Sequence, residues 1–205
     1  EKDDGSSIAL YLGLKLVGNG SVAVFCGLKA TASKICEKLV DVYSRGFQLP
    51  APSGVSDNTE LSKLHNLYLR NLGPDAIPTE AAKLGVLSHH ASIPHGLRIA
   101  VEHAMRMNLT KFVVCTSTLA QGVNLPIRYL LFTSIYQAGE RIKVRDFHNL
   151  IGRAGRSGMY TEGSILFADP VVFDKKSTRN DGWRWRQIRE LVEPRNSEPC
   201  ASSLL

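Results

Sequence analysis

Two arginines three residues apart, Arg153 and Arg156, stand among glycines in Gly152-Arg153-Ala154-Gly155-Arg156 and follow a helical-looking stretch from Val144 to Ile151. Residues three apart share one face of a helical turn, and neighbouring glycines let a phosphate or another backbone approach closely. Arginine suits that setting because its planar guanidinium stays charged and grips spread oxyanions through two nitrogens, which is how it stabilises phosphoryl transfer. A surface turn carrying two solvated arginines has the same local pattern, and these residues alone leave it open.

Upstream, the run from Thr116 to Pro126 opens with three hydroxyls, Thr116, Ser117 and Thr118, directly after an apolar segment ending at Cys115. Hydroxyls at the carboxyl end of a strand can donate to backbone phosphates, and Gly122 with Asn124 suits a tight turn against a ligand. Capping the free amides of a following helix is the alternative use of the same side chains. His89-His90 invites a metal reading, but no third Cys, His or carboxylate lies at convincing spacing, so the pair reads as structural. Trp183-Arg184-Trp185-Arg186 could stack bases and neutralise phosphates, or could dock a tail helix against a neighbouring domain.

The elements that must position these residues alternate in type. A helix is predicted from Ser6 to Val17, then a short apolar strand over Val22-Ala23-Val24-Phe25, then an amphipathic helix from Thr31 to Arg45. Residues 47–58 read as a loop, followed by a helical patch over 61–72, and together they look like an insertion at about 47–80. Further strands are expected over 85–89, 112–115, 129–132 and 164–167, with a helix over 94–107. Short apolar strands separated by amphipathic helices predict an α/β fold, a mostly parallel sheet with helices on both faces, whose ligands sit at the carboxyl ends of the strands. The expected division is a leading helix over 1–20, a lobe over 21–170, and a tail over 171–205 that leads to a following domain.

Composition narrows the partners. Twenty-five Lys+Arg against 19 Asp+Glu give the 205 residues a net charge of +6, which permits an anionic partner such as nucleic acid. Four scattered cysteines form no CxxC pair, which fits neither a zinc site nor a disulfide scaffold and suits a reducing compartment, cytoplasm or nucleus. No apolar run approaches the roughly 20 residues of a membrane helix. The first residue is Glu1 rather than Met, so a fragment of a longer protein is expected.

Taken together, "TSTLAQGVNLP" and "NLIGRAGRSG" resemble motifs V and VI of superfamily-two helicases, in particular the DExH branch with the Superkiller-type and archaeal-type DNA-unwinding enzymes. "HHASIPHGLRIAVEHAMR" resembles the family's motif IVa, and the resemblance runs from about Ser21 to Asp169. It implies the second RecA-like lobe of an ATP-dependent helicase or translocase. Arg153 and Arg156 would be catalytic, with Arg156 reaching the γ-phosphate, and Gly122 and Asn124 would lie near ATP. Arg98, Thr116 and Thr118 would contact nucleic-acid phosphates.

Two features depart from that reading or limit it. Asn149 stands where the family usually has Gln, a shorter amide with less reach. No Gly-Lys dipeptide and no Asp-Glu pair occur, so the chain lacks its own P-loop and DExH box. ATP and Mg2+ would therefore be shared with a first RecA-like lobe, and the chain alone is expected to be inactive. A non-catalytic helicase-like scaffold that binds nucleic acid or protein is the alternative.

Overall fold

The strand Val22–Phe25 (β1) buries all four of its residues, as a continuous apolar run between two layers requires. Val86–His89 (β2) and Phe112–Cys115 (β3) are likewise buried throughout. Tyr129–Phe132 (β4) and the strand Ser164–Phe167, numbered β7, complete a five-stranded sheet in the order β2-β3-β1-β4-β7. Every pairing is parallel, with Val22 opposite both Phe112 and Tyr129, so all five carboxyl ends lie along one edge. The fold is the predicted α/β RecA-like arrangement. The computed structural model describes residues 4–120, 125–152 and 162–196. Gly122, Asn124, Arg153 and Arg156, and the side chain of Thr118, lie outside what it describes.

Because side chains alternate along a strand, the sheet divides its residues between two cores. Ala23, Phe25, Leu87, Val113, Cys115, Leu130 and Phe132 face one layer, while Val22, Val24, Val86, Phe112, Val114 and Leu131 face the other. On the second face lie Gly5–Leu16 (α1) and Lys29–Ser44 (α2), which bury Leu10, Leu14, Ile35 and Leu39 there. On the first face lie Asn58–Leu72 (α3), His95–Arg106 (α5), Val144–Ile151 (α6) and Trp183–Val192 (α8). Ile77–Lys83 (α4) sends Ala81 to one core and Ala82 to the other. Pro170–Asp174 (α7) buries Val172. The thiols of Cys26 and Cys36 are pushed up by burial to about 12 and about 11, so they act as small apolar fillers.

Besides the unpredicted helices Ile77–Lys83 and Pro170–Asp174, three features depart from the sequence expectation through specific contacts. The helix predicted from 61 begins at Asn58, because the Asp57 carboxylate accepts the Glu60 amide at 2.8 Å and adds a turn. Its Tyr68 is fully buried, and the hydroxyl donates to the Ser88 carbonyl at 2.9 Å while accepting the Ser88 amide at 3.0 Å. One side chain thus satisfies backbone groups on the open edge of β2, where an unpaired strand is otherwise a liability.

Second, a two-residue turn at Ala138 and Gly139, both at positive φ, joins Tyr136–Gln137 (β5) to Glu140–Arg141 (β6). Positive φ at both central positions matches the twist of a hairpin, but Ala-Gly is a weak signal for it. Gly27, just past β1, admits this hairpin: a Cβ there would meet the Tyr136 carbonyl at 1.8 Å.

Third, the charged tryptophan segment docks on this lobe itself. Ile188 and Leu191 of α8 are buried, and the His148 ring donates to the Leu191 carbonyl at 2.7 Å. Arg141 pairs with Glu190 at 2.6 Å and Arg184 with Asp169 at 3.0 Å.

Candidate nucleic-acid interface

A parallel βαβ unit starts each helix at the carboxyl edge of the sheet. Two of the helices that start there, α2 after β1 and α5 after β2, have no side-chain cap, since Leu28 and Pro94 occupy their N-cap positions. Their first amides therefore keep their partial positive charge, which favours anions. Lys29 is the first residue of α2 and Arg98 lies in the first turn of α5, so formal positive charge adds to the dipoles.

Arg98 is half-buried, its Nε is buried without a hydrogen-bond partner, and a terminal nitrogen sits 3.5 Å from Nδ1 of His95. Among the described residues no carboxylate pairs with it. Thr116 follows β3 directly, 9% exposed, and its amide donates to the His89 carbonyl at 3.2 Å while its carbonyl accepts the Leu119 amide at 3.1 Å. Its backbone thus starts the 3-10 turn Ser117–Ala120. The structure places Arg98 and Thr116 around the same strand end, since Arg98 also lies close enough to His89 for its charge to act on that ring.

The two motif-bearing segments are also brought together at their described flanks. α6, which runs into Gly152, packs against the 3-10 turn that precedes residues 121–124. Phe147 and Leu150 anchor α6, with Phe147 in a ring cluster formed with Phe132 at 5.1 Å and Phe167 at 6.2 Å. The residues expected to touch ATP lie outside the described part, so the fit of a nucleotide is carried by those flanks alone.

The histidine pair divides into two environments that sequence reasoning did not separate. His89, 1% exposed, meets the Glu102 carboxylate through Nε2 at 2.6 Å, and burial nevertheless holds it below the usual imidazole range. His90, 4% exposed, has neither ring nitrogen hydrogen-bonded among the described residues. Burial, and then the charges of His89, Lys29 and Arg98, push it downward as well. His89 ends β2 and His90 lies one residue beyond it, a division that the sequence pattern does not signal.

A stability prediction follows from the sign of these shifts. Each ring is neutral in the fold and gains its proton more readily when unfolded. The associated stability is complete above the ordinary value of 6.5 and is lost as pH falls from there toward each lowered folded value. Urea denaturation is expected to show a lower midpoint at pH 6.0 than at pH 7.5. The difference should shrink in His89→Gln/His90→Gln; equal midpoints at the two pH values in the parent chain would contradict it.

A five-stranded, all-parallel sheet with helices on both faces and uncapped helix starts along its carboxyl edge is the frame of a RecA-like lobe. Residues 63–158 match the helicase conserved C-terminal domain family. The human protein named Helicase POLQ-like is 31% identical over 192 residues, 93% of this chain and 16% of that protein. The ATP-dependent DNA helicase Hel308 of Aeropyrum pernix is 43% identical over 86 residues, 40% of this chain and 12% of its own length. DNA polymerase theta of Mus musculus is 29% identical over 177 residues, 80% of this chain and 7% of that protein. These matches support a helicase C-terminal lobe of the superfamily-two type, with the family's domain carried by residues 63–158. The chain spans well under a fifth of the length of each of these relatives.

Proposed function

We propose that the chain is the second motor lobe of an ATP-dependent DNA helicase or translocase that works inside the cell, and that it grips one strand through backbone phosphates. The observation that carries this is Arg98, which among the described residues has no carboxylate partner and lies on the first turn of an uncapped helix at the carboxyl edge of the sheet. Thr116 at the end of β3 and, by resemblance, Thr118 extend the surface. Relatives named as a DNA helicase and a DNA polymerase favour DNA over RNA.

The substrate ATP would lie between this lobe and a first lobe supplying the P-loop and the Mg2+ site. Gly122 and Asn124 would approach the nucleotide, and Arg153 and Arg156 would face its phosphates. Arginine spreads its charge over two or more oxygens, so it stabilises charge that develops during phosphoryl transfer. Closure of the cleft when ATP binds, and reopening after hydrolysis, would move the gripped strand.

Backbone contacts predict weak sequence preference and strong salt dependence. Arg98→Ala is expected to weaken binding of a single-stranded oligonucleotide about tenfold, as loss of one charged hydrogen bond should. The slope of log K against log salt should fall by about 0.7 for the one phosphate contact removed. Fluorescence anisotropy with DNA and RNA oligonucleotides of matched length measures both effects. An unchanged slope would remove Arg98 from the interface.

A further inference from the structure

His90 has a chemistry that the role of Arg98 leaves unexplained. Both of its ring nitrogens are buried and unpartnered among the described residues, as is Arg98 Nε. Leaving a buried donor or acceptor unsatisfied normally costs about 1–3 kcal/mol, and a protein keeps such groups where a ligand supplies the missing partner. Three of them gather here, in a setting that selects the sign of that ligand.

The turn from β2 to α5 is closed by the Ile93 amide donating to the His90 carbonyl at 2.9 Å, which holds His90 against the start of an uncapped helix. Lys29 from α2 and Arg98 from α5 act on the His90 ring with positive charge, and His89 of β2, neutral in the fold, brings no negative charge. Glu102 is engaged by His89, and His95 is in contact with Arg98. Nothing negative faces His90 in this set. A cation is repelled, a neutral group leaves the charges unbalanced, and an oxyanion satisfies both requirements.

Resting on the strand-binding reading above, we propose that His90 and Arg98 form one seat for a phosphodiester of the bound strand. The guanidinium supplies charge, and a His90 ring nitrogen donates a second hydrogen bond. Among the described residues the guanidinium is held by one side-chain hydrogen bond, the 3.5 Å approach to His95, which a strand phosphate can replace. The charge of Arg98 reaches the His90 ring, so the two groups are near enough for one oxyanion to engage both. The seated phosphate reverses the local field, so His90 takes up a proton as the strand binds, and affinity rises as pH falls.

The test is a histidine-resolved NMR titration of the unmodified chain, with and without saturating twenty-residue oligothymidylate; His90→Gln serves to assign the resonance. The His90 midpoint is expected to move up when the oligonucleotide is bound. In anisotropy, affinity should rise between pH 8 and pH 6, and His90→Gln should weaken binding about tenfold at pH 6 and flatten that rise. An unmoved His90 midpoint while Arg98→Ala still weakens binding would overturn the seat and leave the strand surface intact. A pH dependence that survives in His90→Gln and disappears in His95→Gln would overturn it in favour of His95. If neither Arg98→Ala nor His90→Gln alters binding, the strand-surface reading falls with it.

Discussion

Arg156→Ala in the full-length protein is expected to lower strand-stimulated ATP hydrolysis by about three orders of magnitude or more, the effect of withdrawing an arginine that reaches a transferring phosphoryl group. The expectation rests on the Gly152-Arg153-Ala154-Gly155-Arg156 pattern, its resemblance to motif VI, and a rigid approach. α6 delivers the chain to Gly152 from a helix whose buried face is set by Phe147 and Leu150. Because the finger acts on charge that develops in the transition state, kcat should collapse while ATP and strand affinity stay close to normal. Arg156→Lys should recover little, since an ammonium is a point charge without the two-pronged geometry. Arg153→Ala gives the comparison, a weaker loss from the neighbouring arginine. A full-length Arg156→Ala protein that hydrolyses ATP at the parent rate would refute the assignment and bring forward the scaffold reading.

How far the molecule was legible depended on the physical range of each signal. Strands Val22–Phe25, Phe112–Cys115 and Tyr129–Phe132 were readable to the residue, because a strand buried on both faces must be nearly continuously apolar, and the edge strand Ser164–Phe167 was readable from its Ile-Leu-Phe run. The start of α3 was missed by three residues, since the cap at Asp57 acts through one hydrogen bond that periodicity does not register. The hairpin at Ala138-Gly139 was missed because its turn is held from outside, by the approach of Gly27 and by the docking of α8 through Arg141 and Glu190.

The interface was partly legible in the same way. Arg98 and Thr116 could be named as candidates from motif pattern, but the division between His89 and His90 could not. Whether a histidine finds Glu102 or finds nothing depends on where a helix thirteen residues away brings its carboxylate, and no local pattern encodes that. The tail shows the converse limit: tryptophans beside arginines describe a sticky surface, and only the packed structure identifies α6 and the hairpin as what they stick to.

The anchoring of α6 carries the second large effect. Phe147 is fully buried, 5.1 Å from Phe132, which is itself 5.1 Å from Phe25 and 5.5 Å from Phe167. Phe147→Ala removes one ring from that cluster and leaves a cavity beneath the helix, at a cost of about 3–5 kcal/mol. Against a total stability of roughly 5–15 kcal/mol this is severe, and the melting midpoint should fall by about 6–20 °C for a domain of this size. Phe147→Leu should keep the fold, because it fills most of the space and loses only part of the ring contact. What it gives up is definition in the position of α6, which has only one other buried side chain, Leu150. A misplacement of about 1 Å in a catalytic group can cost about a hundredfold in rate. In the full-length protein, Phe147→Leu is therefore expected to bind the strand normally and hydrolyse ATP more slowly, in proportion to its loss of helix order and not of affinity. Equal turnover in the leucine variant and the parent would show that the segment beyond Gly152 is positioned by the facing lobe rather than by the aromatic stack under α6.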